Sequence, residues 1–428
     1  MSSLNRREFM KRLAAAGAAV GASSLYGCAA PGAGAGARVV VIGGGWGGCT
    51  AGKYIRKWAP EIEVTLVERN PTFISCPISN WVIGGIKTMG DVTFSYDNLV
   101  KRWGVKMVRD DVTAVDPEKR QVRLASGGTL GYDRLIVSPG IDFMYEGIPG
   151  LKSPAAQERV PHAWKAGPQT AALRKQLEAM RNGGVYAIWI PVAPYRCPPG
   201  PYERASMVAH YFKQAKPRSK ILILDANQDI QSKKPLFTKA WNEIYPGMIE
   251  YRPNSELVDV DAKSLTVKLL GGDVKADVLN VAPPQKAGEI AHRIGLANIN
   301  KRWCGIDWRT MESTVHKNVH VLGDSTLSAP AMPKSGHMAN QHGKICADAV
   351  IALLTGRPVN EEPIISNTCY SLVSDKEAIH VASVHKYDKA QKTLVPVKGA
   401  GGISKERNAL EVAYTQAWAD NLWADMLT

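Results

Sequence analysis

One cysteine stands in surroundings that could support redox chemistry. Cys197 lies in a proline-rich turn, residues 191–201, directly after Arg196 and shortly before a helix predicted over residues 202–213. The positive end of a helix dipole and a neighbouring guanidinium both favour a thiolate, so we expect a lowered pKa and a redox role for this thiol. Glu203 is placed on the same predicted helix and is a candidate for moving protons.

The chain holds seven cysteines, and their spacing alone does not pair them. Cys28 lies in an N-terminal segment that we expect to be removed, and the six that remain can pair in many ways. Cys49 and Cys346 are placed on predicted helices and are expected to be core residues. No role is assigned to Cys304.

A glycine-rich turn supplies a second kind of chemistry. It has the spacing GxGxxG, which is formed by Gly43, Gly45 and Gly48. A β-branched run over residues 38–42 precedes it, a helix is predicted over residues 50–58, and a second predicted strand over residues 63–67 ends at Glu68. Such glycines let the backbone approach a pyrophosphate, the helix start favours negative charge, and the acid binds ribose hydroxyls. The order of these elements predicts a dinucleotide site.

Two later segments favour a flavin over a nicotinamide at this site. Residues 132–140, YDRLIVSPG, resemble the crossover segment of flavoproteins with two dinucleotide-binding domains. Residues 319–324, VHVLGD, resemble the late strand of those proteins, in which Gly323 precedes Asp324, the acid that binds the ribityl chain. The two resemblances imply FAD.

Lys334 and Ser335 stand just before a helix predicted over residues 337–354. The positive N-terminus of that helix would face the pyrimidine end of the flavin and stabilise charge on the reduced ring, so both residues are assigned to cofactor binding. The implied fold class is α/β and glutathione-reductase-like, with two Rossmann-like domains and a C-terminal α+β interface domain.

The domain boundaries follow from this fold. We predict a signal peptide and linker start over 1–31, a discontinuous FAD-binding domain over 37–150 and 285–358, a second Rossmann-like domain over 151–284, and a C-terminal redox-cysteine domain over 359–428.

The second Rossmann-like domain lacks the glycines of a nucleotide site. Its predicted strand, residues 184–190, runs into the proline-rich turn that carries Cys197. Prolines have no N–H to donate and fill the space that a pyrophosphate would take. We therefore expect no binding of NAD(P)H, and the electron donor must be another molecule.

Four longer motifs resemble the flavoprotein subunit of flavocytochrome c sulfide dehydrogenase. They are RCPPGPYERA at 196–205, NTCYS at 367–371, MPKSG at 332–336 and PHAWKAG at 161–167. The resemblance implies that Cys197 and Cys369 form a redox-active disulfide, with Cys369 nearer the flavin. It also implies that Cys76, in FISCPISN, binds the flavin covalently through a thioether.

The same resemblance implies a reaction and a partner. Sulfide attacks the disulfide, two electrons pass to FAD, and a c-type cytochrome subunit, in a heterodimer with this chain, accepts them. The sequence has no CxxCH motif, so haem is expected only on the partner chain.

Three alternatives stay open. A sulfide:quinone oxidoreductase shares the cysteine chemistry but needs a quinone pocket at a membrane, and the last segment, residues 405–427, has helical apolar spacing. A CoA-disulfide or peroxide reductase would use Cys76 as its redox thiol and would require NAD(P)H. A binding protein without enzymatic activity, stabilised by FAD, would not need the cysteines.

The N-terminal sequence and the net charge of the chain indicate where the protein is located and which kinds of partner it has. Residues 4–11, LNRREFMK, have the pattern of a twin-arginine export signal, which predicts a periplasmic protein that is at most peripheral to a membrane. The net charge is +14, yet no nucleic-acid-binding motif occurs, so nucleic acid is excluded as a partner. His316 and His320 lack further ligands, so no metal site is expected.

Overall fold

The structure is a computed structural model, and it describes residues 36–428. The predicted export signal at residues 4–11, Cys28 and the start of the linker lie outside the described residues. Two parallel sheets and one antiparallel sheet organise the described chain.

The first parallel sheet carries the glycine-rich turn. Its five strands, in spatial order, are Val319–Val321, Arg134–Val137, Arg38–Ile42, Glu63–Val67 and Lys106–Val108. The central strand, Arg38–Ile42, is β-branched and buried after its first residue, which is typical of a strand covered on both faces. The helices Trp46–Trp58 and Gly336–Thr355 pack against each other beside this sheet.

The second parallel sheet carries the proline-rich turn. Its four strands, in spatial order, are Ile249–Arg252, Lys220–Asp225, Val185–Ile190 and Val278–Val281. The longer helices of this part are Pro168–Ala179, Gly200–Ala215 and Lys234–Ile244. The chain passes between the two sheets through an antiparallel pair, Ile141–Phe143 with Gln285–Ala287.

Smaller elements extend both parts. Three-stranded antiparallel sheets are formed by Val112–Asp116, Gln121–Leu124 and Thr129–Gly131, and by Leu257–Asp261, Thr266–Leu269 and Val274–Lys275. A short pair joins Phe73–Ile74 to Thr93–Phe94. The short helices are Ser79–Gly84, Asp97–Lys101, Pro154–Arg159 and Glu289–Arg293.

The C-terminal part is an antiparallel sheet followed by one long helix. The strands Ile364–Leu372, Ala378–Asp388 and Thr393–Ile403 lie in this order, and the helix spans Leu410–Leu427. The predicted fold class is therefore confirmed, whereas the exact domain boundaries stay predictions.

Among the helices predicted above, two start at least two residues earlier than expected. The first begins at Trp46 instead of residue 50 and so includes Gly48, where an added Cβ would lie 2.0 Å from the Gly43 carbonyl oxygen. Glycine at that position lets the helix and the preceding turn approach closely, and the close contact outweighs its low helix propensity. The helix after the proline-rich turn begins at Gly200 instead of residue 202.

Polar contacts fasten the end of the C-terminal helix to the first part of the chain. The Asp425 carboxylate accepts hydrogen bonds from the Tyr54 hydroxyl at 2.5 Å and from the Asn340 amide at 2.7 Å, and it pairs with Lys344 at 2.9 Å. Lys53 donates to the Asp425 backbone carbonyl at 2.8 Å. A cation at a helix C-terminus also stabilises the helix dipole. These contacts hold the helix against the edge of the candidate site.

Candidate functional site

The glycine-rich turn leaves room for a negatively charged group. Gly43 has φ +100°, and a Cβ added there would lie 2.4 Å from the Ser138 carbonyl oxygen. A Cβ at Gly45, in contrast, would meet no atom within 4 Å. The helix that begins at Trp46 has no side-chain cap, so the first amides of this helix have no side-chain acceptor. Free amides beside open space are what a pyrophosphate requires.

Glu68 lies beside this turn, at the end of the Glu63–Val67 strand. Its carboxylate accepts from the Gly44 amide at 2.7 Å and from the Asn70 amide at 2.8 Å. The hydrogen bond from Gly44 fixes the acid to the glycine-rich turn, which is the position that binding of ribose hydroxyls requires.

Most of the other predicted site residues line one cavity. It contains about 870 Å³ of empty space, open solvent included. Of the predicted residues, those that line it are Cys76, Cys197, Glu203, Asp324, Ser335 and Cys369. The glycine-rich turn and Glu68 are not part of its wall, although Trp46, which follows the turn directly, is. The structure thus brings the three cysteines together and places the nucleotide-binding residues next to them.

Cys76 is held by the PHAWKAG segment. Its sulfur accepts from the Ala166 amide at 3.4 Å and lies 3.7 Å from the Trp164 carbonyl oxygen. Two residues later, Ile78 has φ 74°, a left-handed conformation that is unusual for a β-branched residue. The Ser79 hydroxyl donates to the Cys76 carbonyl at 2.6 Å and supports this bend.

Cys197 also adopts a left-handed conformation, with φ 59°. A non-glycine residue in this region costs about 1–3 kcal/mol. The Cys197 amide donates to the Lys334 carbonyl at 2.8 Å, and its carbonyl accepts from the Gly200 amide at 2.8 Å. These two hydrogen bonds offset the cost and keep the residue at the cavity wall.

The expected lowering of the Cys197 pKa is wrong. Burial raises the pKa of this thiol, and the nearby Cys369 and Glu203 add to the rise. Arg196, whose guanidinium donates to the Trp164 carbonyl, opposes the rise only in part. The helix begins three residues after Cys197, so Glu203 lies on it and Cys197 does not.

Cys369 faces the same cavity from the strand Ile364–Leu372. Burial raises the pKa of its thiol, while the Asn367 side chain, whose amide donates to the sulfur at 3.3 Å, opposes the rise. All six cysteines of residues 36–428 are present as thiols. The Cys197–Cys369 disulfide therefore stays a prediction. The two cysteines are separated by 172 positions in the sequence, and both line the same cavity.

Glu203 is buried and is held on both of its oxygens. One accepts from the Asn80 amide at 2.9 Å, and the other accepts from the Trp81 indole at 3.2 Å and the Leu372 amide at 3.2 Å. Burial raises the pKa of this carboxyl, and the hydrogen bonds oppose the rise. A carboxyl whose pKa is raised exchanges protons closer to neutral pH, so the group is suited to acid–base work.

Asp324 lines the cavity, and its carboxylate accepts no hydrogen bond from any described residue. Gly323, with φ +68°, turns the chain just before it. The Lys334 ammonium donates to the Asp324 backbone carbonyl at 3.0 Å and lies 3.8 Å from the centre of the Trp303 ring. Lys334 therefore stabilises this turn and is not among the residues that line the cavity, and its predicted contact with the cofactor stays a prediction.

Ser335 lines the cavity and also caps a helix, and its predicted role in cofactor binding stays a prediction. Its hydroxyl accepts from the Met338 amide at 3.0 Å, which caps the helix Gly336–Thr355, and donates to Asn367 at 2.7 Å. The residue lines the cavity while its hydroxyl is used by the protein itself.

Three functional candidates escaped the sequence analysis. Arg204 donates to the Ala163 backbone carbonyl and, at 3.1 Å, to Asn80, so it holds the segment that contacts Cys76. His337 lines the cavity; burial lowers its pKa to about 4, and its Nδ1 accepts from the Thr368 amide at 3.0 Å. The neutral ring then carries its proton on Nε2. Arg204 lies within the family-like RCPPGPYERA motif, so that motif was a signal for it.

Lys233 is the third of these candidates. Its side chain is 4% exposed, and its ammonium donates to the Cys369 carbonyl at 3.1 Å. No local pattern marks this residue, because it is one of two consecutive lysines in a polar stretch.

In the second parallel sheet, the acid at the position of a ribose-binding residue is hydrogen-bonded within the protein. An acid at the end of the strand Lys220–Asp225 would bind a ribose in a nicotinamide domain. Asp225 is fully buried, and its carboxylate accepts from the Tyr202 hydroxyl at 2.7 Å and from the Asn227 amide at 2.7 Å. The acid is thus used inside the protein, next to a turn whose prolines have no N–H to donate.

The residues of the first part fit FAD. The turn at Gly45 has open space and uncapped amides for a pyrophosphate, Glu68 stands where a ribose is bound, and Asp324 offers an unused carboxylate at the cavity wall. In the part of the chain that the structure describes, no three or more His, Cys, Asp or Glu side chains are arranged to hold a metal ion. No helix within residues 36–428 combines the length and the apolar character needed to cross a membrane.

Comparison with known families divides the chain into three matches. Residues 37–178 match the family described as pyridine nucleotide-disulphide oxidoreductase. Residues 170–283 match "Sulfide dehydrogenase (flavocytochrome c) flavoprotein chain, central", and residues 361–427 match "Flavocytochrome c sulphide dehydrogenase, flavin-binding". These matches indicate a flavin cofactor.

Individual relatives agree with these families. The sulfide dehydrogenase (flavocytochrome c) flavoprotein chain of Chlorobaculum thiosulfatiphilum is 58% identical over 45 residues, which are 10% of this chain and 94% of the relative. A mitochondrial sulfide:quinone oxidoreductase of Dictyostelium discoideum is 24% identical and covers 84% of this chain and 82% of its own. The solved sulfide:quinone oxidoreductase of Aquifex aeolicus has a TM-score of 0.76 at 18% identity and covers 91% of both chains, which shows a shared fold.

We expect Gly43→Ala to reduce the flavin content of the purified protein roughly tenfold. The added Cβ would lie 2.4 Å from the Ser138 carbonyl oxygen at a positive φ, so the turn must move, and strain of about 1–3 kcal/mol weakens binding by about 5- to 150-fold, a range that includes this factor. The ratio of flavin to protein absorbance measures the effect. Gly127→Ala is the matched control, since Gly127 has φ +94° and open space around it; full flavin loading of Gly43→Ala would contradict the prediction.

Proposed function

The chain belongs to the flavocytochrome c sulfide dehydrogenase flavoprotein family, and on this premise we propose that it is the flavoprotein subunit of a periplasmic sulfide dehydrogenase that passes electrons to a c-type cytochrome. Family membership makes it a sulfide-oxidising flavoprotein. The observation that carries the proposal is that Cys197 and Cys369, 172 residues apart, line one cavity together with Cys76.

The reaction begins on the disulfide between Cys197 and Cys369. HS⁻ attacks the Cys197 sulfur, a new S–S bond forms as a persulfide on Cys197, and the old S–S bond breaks with its electron pair on the Cys369 thiolate. Cys369 is buried and Cys197 is half-buried at the cavity wall, which limits the access of water, and the hydrogen bond between the Cys197 amide and Lys334 holds the attacked residue in place.

Glu203 is the proposed acid–base group of this step. It lies on the cavity wall, burial raises its pKa, and Asn80 and Trp81 hold its two oxygens in fixed directions. A positioned carboxyl of this kind can take the proton of incoming H₂S or protonate a leaving sulfur.

FAD, when bound, accepts the electron pair and releases electrons singly. Residues of this chain would hold it at both ends: the glycine-rich turn and Glu68 at the nucleotide end, and Asp324 at the ribityl chain. Cys76 lines the same cavity and is the proposed site of a thioether to the cofactor.

Two observations support an electron acceptor other than NAD(P)+. Asp225, the acid at the ribose position of the second sheet, is buried and occupied by Tyr202. The turn beside it is filled with prolines. The proposed acceptor is a c-type cytochrome on a partner chain, and the twin-arginine pattern at residues 4–11 supports a periplasmic location for the pair.

Sulfide:quinone oxidoreductase activity is the second candidate. The Aquifex aeolicus protein of that name shares the fold over 91% of this chain, and the Dictyostelium discoideum relative covers 84% of it. Such an activity uses the same sulfur chemistry and differs in the acceptor.

Cys197→Ser should abolish the loss of flavin absorbance on anaerobic titration with sulfide, while FAD stays bound. A serine oxygen cannot form the disulfide that sulfide opens. Cys304→Ser is the matched control, because Cys304 is buried and lies outside the cavity wall, and it should respond as the wild type does. Flavin reduction by sulfide in Cys197→Ser would refute the mechanism.

Acid precipitation tests the role of Cys76. The wild-type pellet should stay yellow because the thioether survives denaturation, whereas Cys76→Ser should release its flavin into the supernatant. Absorbance of the two fractions at the flavin maximum measures the outcome, with Cys346→Ser as a buried-cysteine control. A colourless wild-type pellet would rule out covalent attachment.

The acceptor is tested with sulfide-reduced protein. We expect rapid reduction of a soluble c-type cytochrome, measured by its haem absorbance, and slow reduction of a short-chain quinone. NADH should not bleach the oxidised flavin. The opposite preference would favour the quinone reductase, and rapid bleaching by NADH would overturn the assignment.

A further inference from the structure

Lys233 is a buried lysine next to the strand that carries Cys369, and its ammonium has no carboxylate partner among the described residues. The Lys233 ammonium donates to the Cys369 carbonyl at 3.1 Å and to the Ser371 hydroxyl at 2.8 Å. No carboxylate of residues 36–428 lies within 4.0 Å of it, so no ion pair neutralises this charge. An ammonium in such a place is costly unless an anion balances it.

The backbone around Lys233 is built to keep it there. The residue has φ 56° and directly precedes the helix Lys234–Ile244. Its side chain is 4% exposed and lies over the Phe237 ring at 5.6 Å from the ring centre. A left-handed conformation is unfavourable for a residue other than glycine. The folded protein therefore adopts an unfavourable backbone conformation at the residue that places a buried cation next to the Cys369 strand.

The charged and titratable groups that face Lys233 come from four elements. They are Cys369 on its strand, Glu203 on the helix Gly200–Ala215, Cys197 in the proline-rich turn and Glu411 on the C-terminal helix. Burial lowers the pKa of Lys233 to about 8, while these groups raise it, Cys369 most. The lysine thus keeps its proton most firmly when a nearby sulfur is an anion.

We propose that Lys233 is a positioning residue whose ammonium stabilises the Cys369 thiolate formed when the Cys197–Cys369 disulfide opens. This inference rests on the proposed function for the identity of the attacking molecule. In the step, HS⁻ forms an S–S bond with Cys197, the Cys197–Cys369 bond breaks, and its electron pair goes to the Cys369 sulfur, so one negative charge moves from sulfide to a site beside a preformed cation. A preorganised charge stabilises such an anion without rearrangement.

The proposal predicts a shift in the reactivity of Cys369 with pH. The reduced, FAD-loaded protein is treated with methyl methanethiosulfonate over a range of pH, and modification of the Cys369 peptide is followed by mass spectrometry. Removing a neighbouring cation raises a thiol pKa by about 1–3 units. Lys233→Met and Lys233→Gln should therefore need a higher pH and react at least about tenfold more slowly below the wild-type midpoint.

Matched variants separate the charge from the hydrogen bonds. Lys233→Gln keeps a donor for the Cys369 carbonyl and loses the charge, whereas Lys233→Arg keeps the charge and should restore the wild-type profile. Lys234→Met is the control, because Lys234 is exposed and pairs with Asp229 at 2.6 Å. Flavin absorbance and the far-UV spectrum show which variants are folded.

The outcomes distinguish this inference from the proposed function. An unshifted Cys369 profile in either folded neutral variant overturns the role of Lys233, whatever sulfide does. A shifted profile in a protein whose flavin sulfide does not reduce supports the role of Lys233 and refutes the proposed substrate.

Discussion

The hydrogen bond from the Cys197 amide to the Lys334 carbonyl is the contact on which the site depends. It joins the turn of the second Rossmann-like domain to the start of the helix Gly336–Thr355, which belongs to the first. The prolines of the turn have no N–H, so few amides in it can make such a connection. Because Cys197 is held in a left-handed conformation at this junction, its side chain reaches a cavity that neither domain forms alone.

Burial is the second constraint, and it sets the protonation state of the whole site. The thiols of Cys197 and Cys369 and the carboxyl of Glu203 all have a raised pKa because they are removed from water. The ammonium of Lys233 has a lowered pKa for the same reason. Each group is driven towards its neutral form, so a charge that appears on one of them is stabilised chiefly by an opposite charge on another. The protonation states of these four groups are therefore coupled, and the reactivity of the site depends on all of them rather than on one activated thiol.

The sequence predicted the elements better than the electrostatics. The strands Arg38–Ile42 and Glu63–Val67 have the predicted bounds, because a β-branched run that ends in a glycine turn leaves little choice of structure. The helix at Trp46 was predicted to start late, because glycines lower helix propensity and only close packing favours them there. The Cys197 pKa was predicted in the wrong direction, since the dipole and Arg196 can be inferred from sequence whereas burial cannot.

By itself, the sequence determined that this chain has a glycine-rich dinucleotide site with an acid at Glu68, a second domain whose turn is filled with prolines, and motifs shared with one family of sulfide-oxidising flavoproteins. These are local patterns, and each carries its physical reason within a few residues. Only the tertiary structure decided that Cys76, Cys197 and Cys369 share one cavity, that the Lys334 ammonium donates to the Asp324 backbone, and that the Lys233 ammonium is buried next to Cys369. Proximity and burial depend on contacts between residues far apart in sequence, and no local pattern records those contacts.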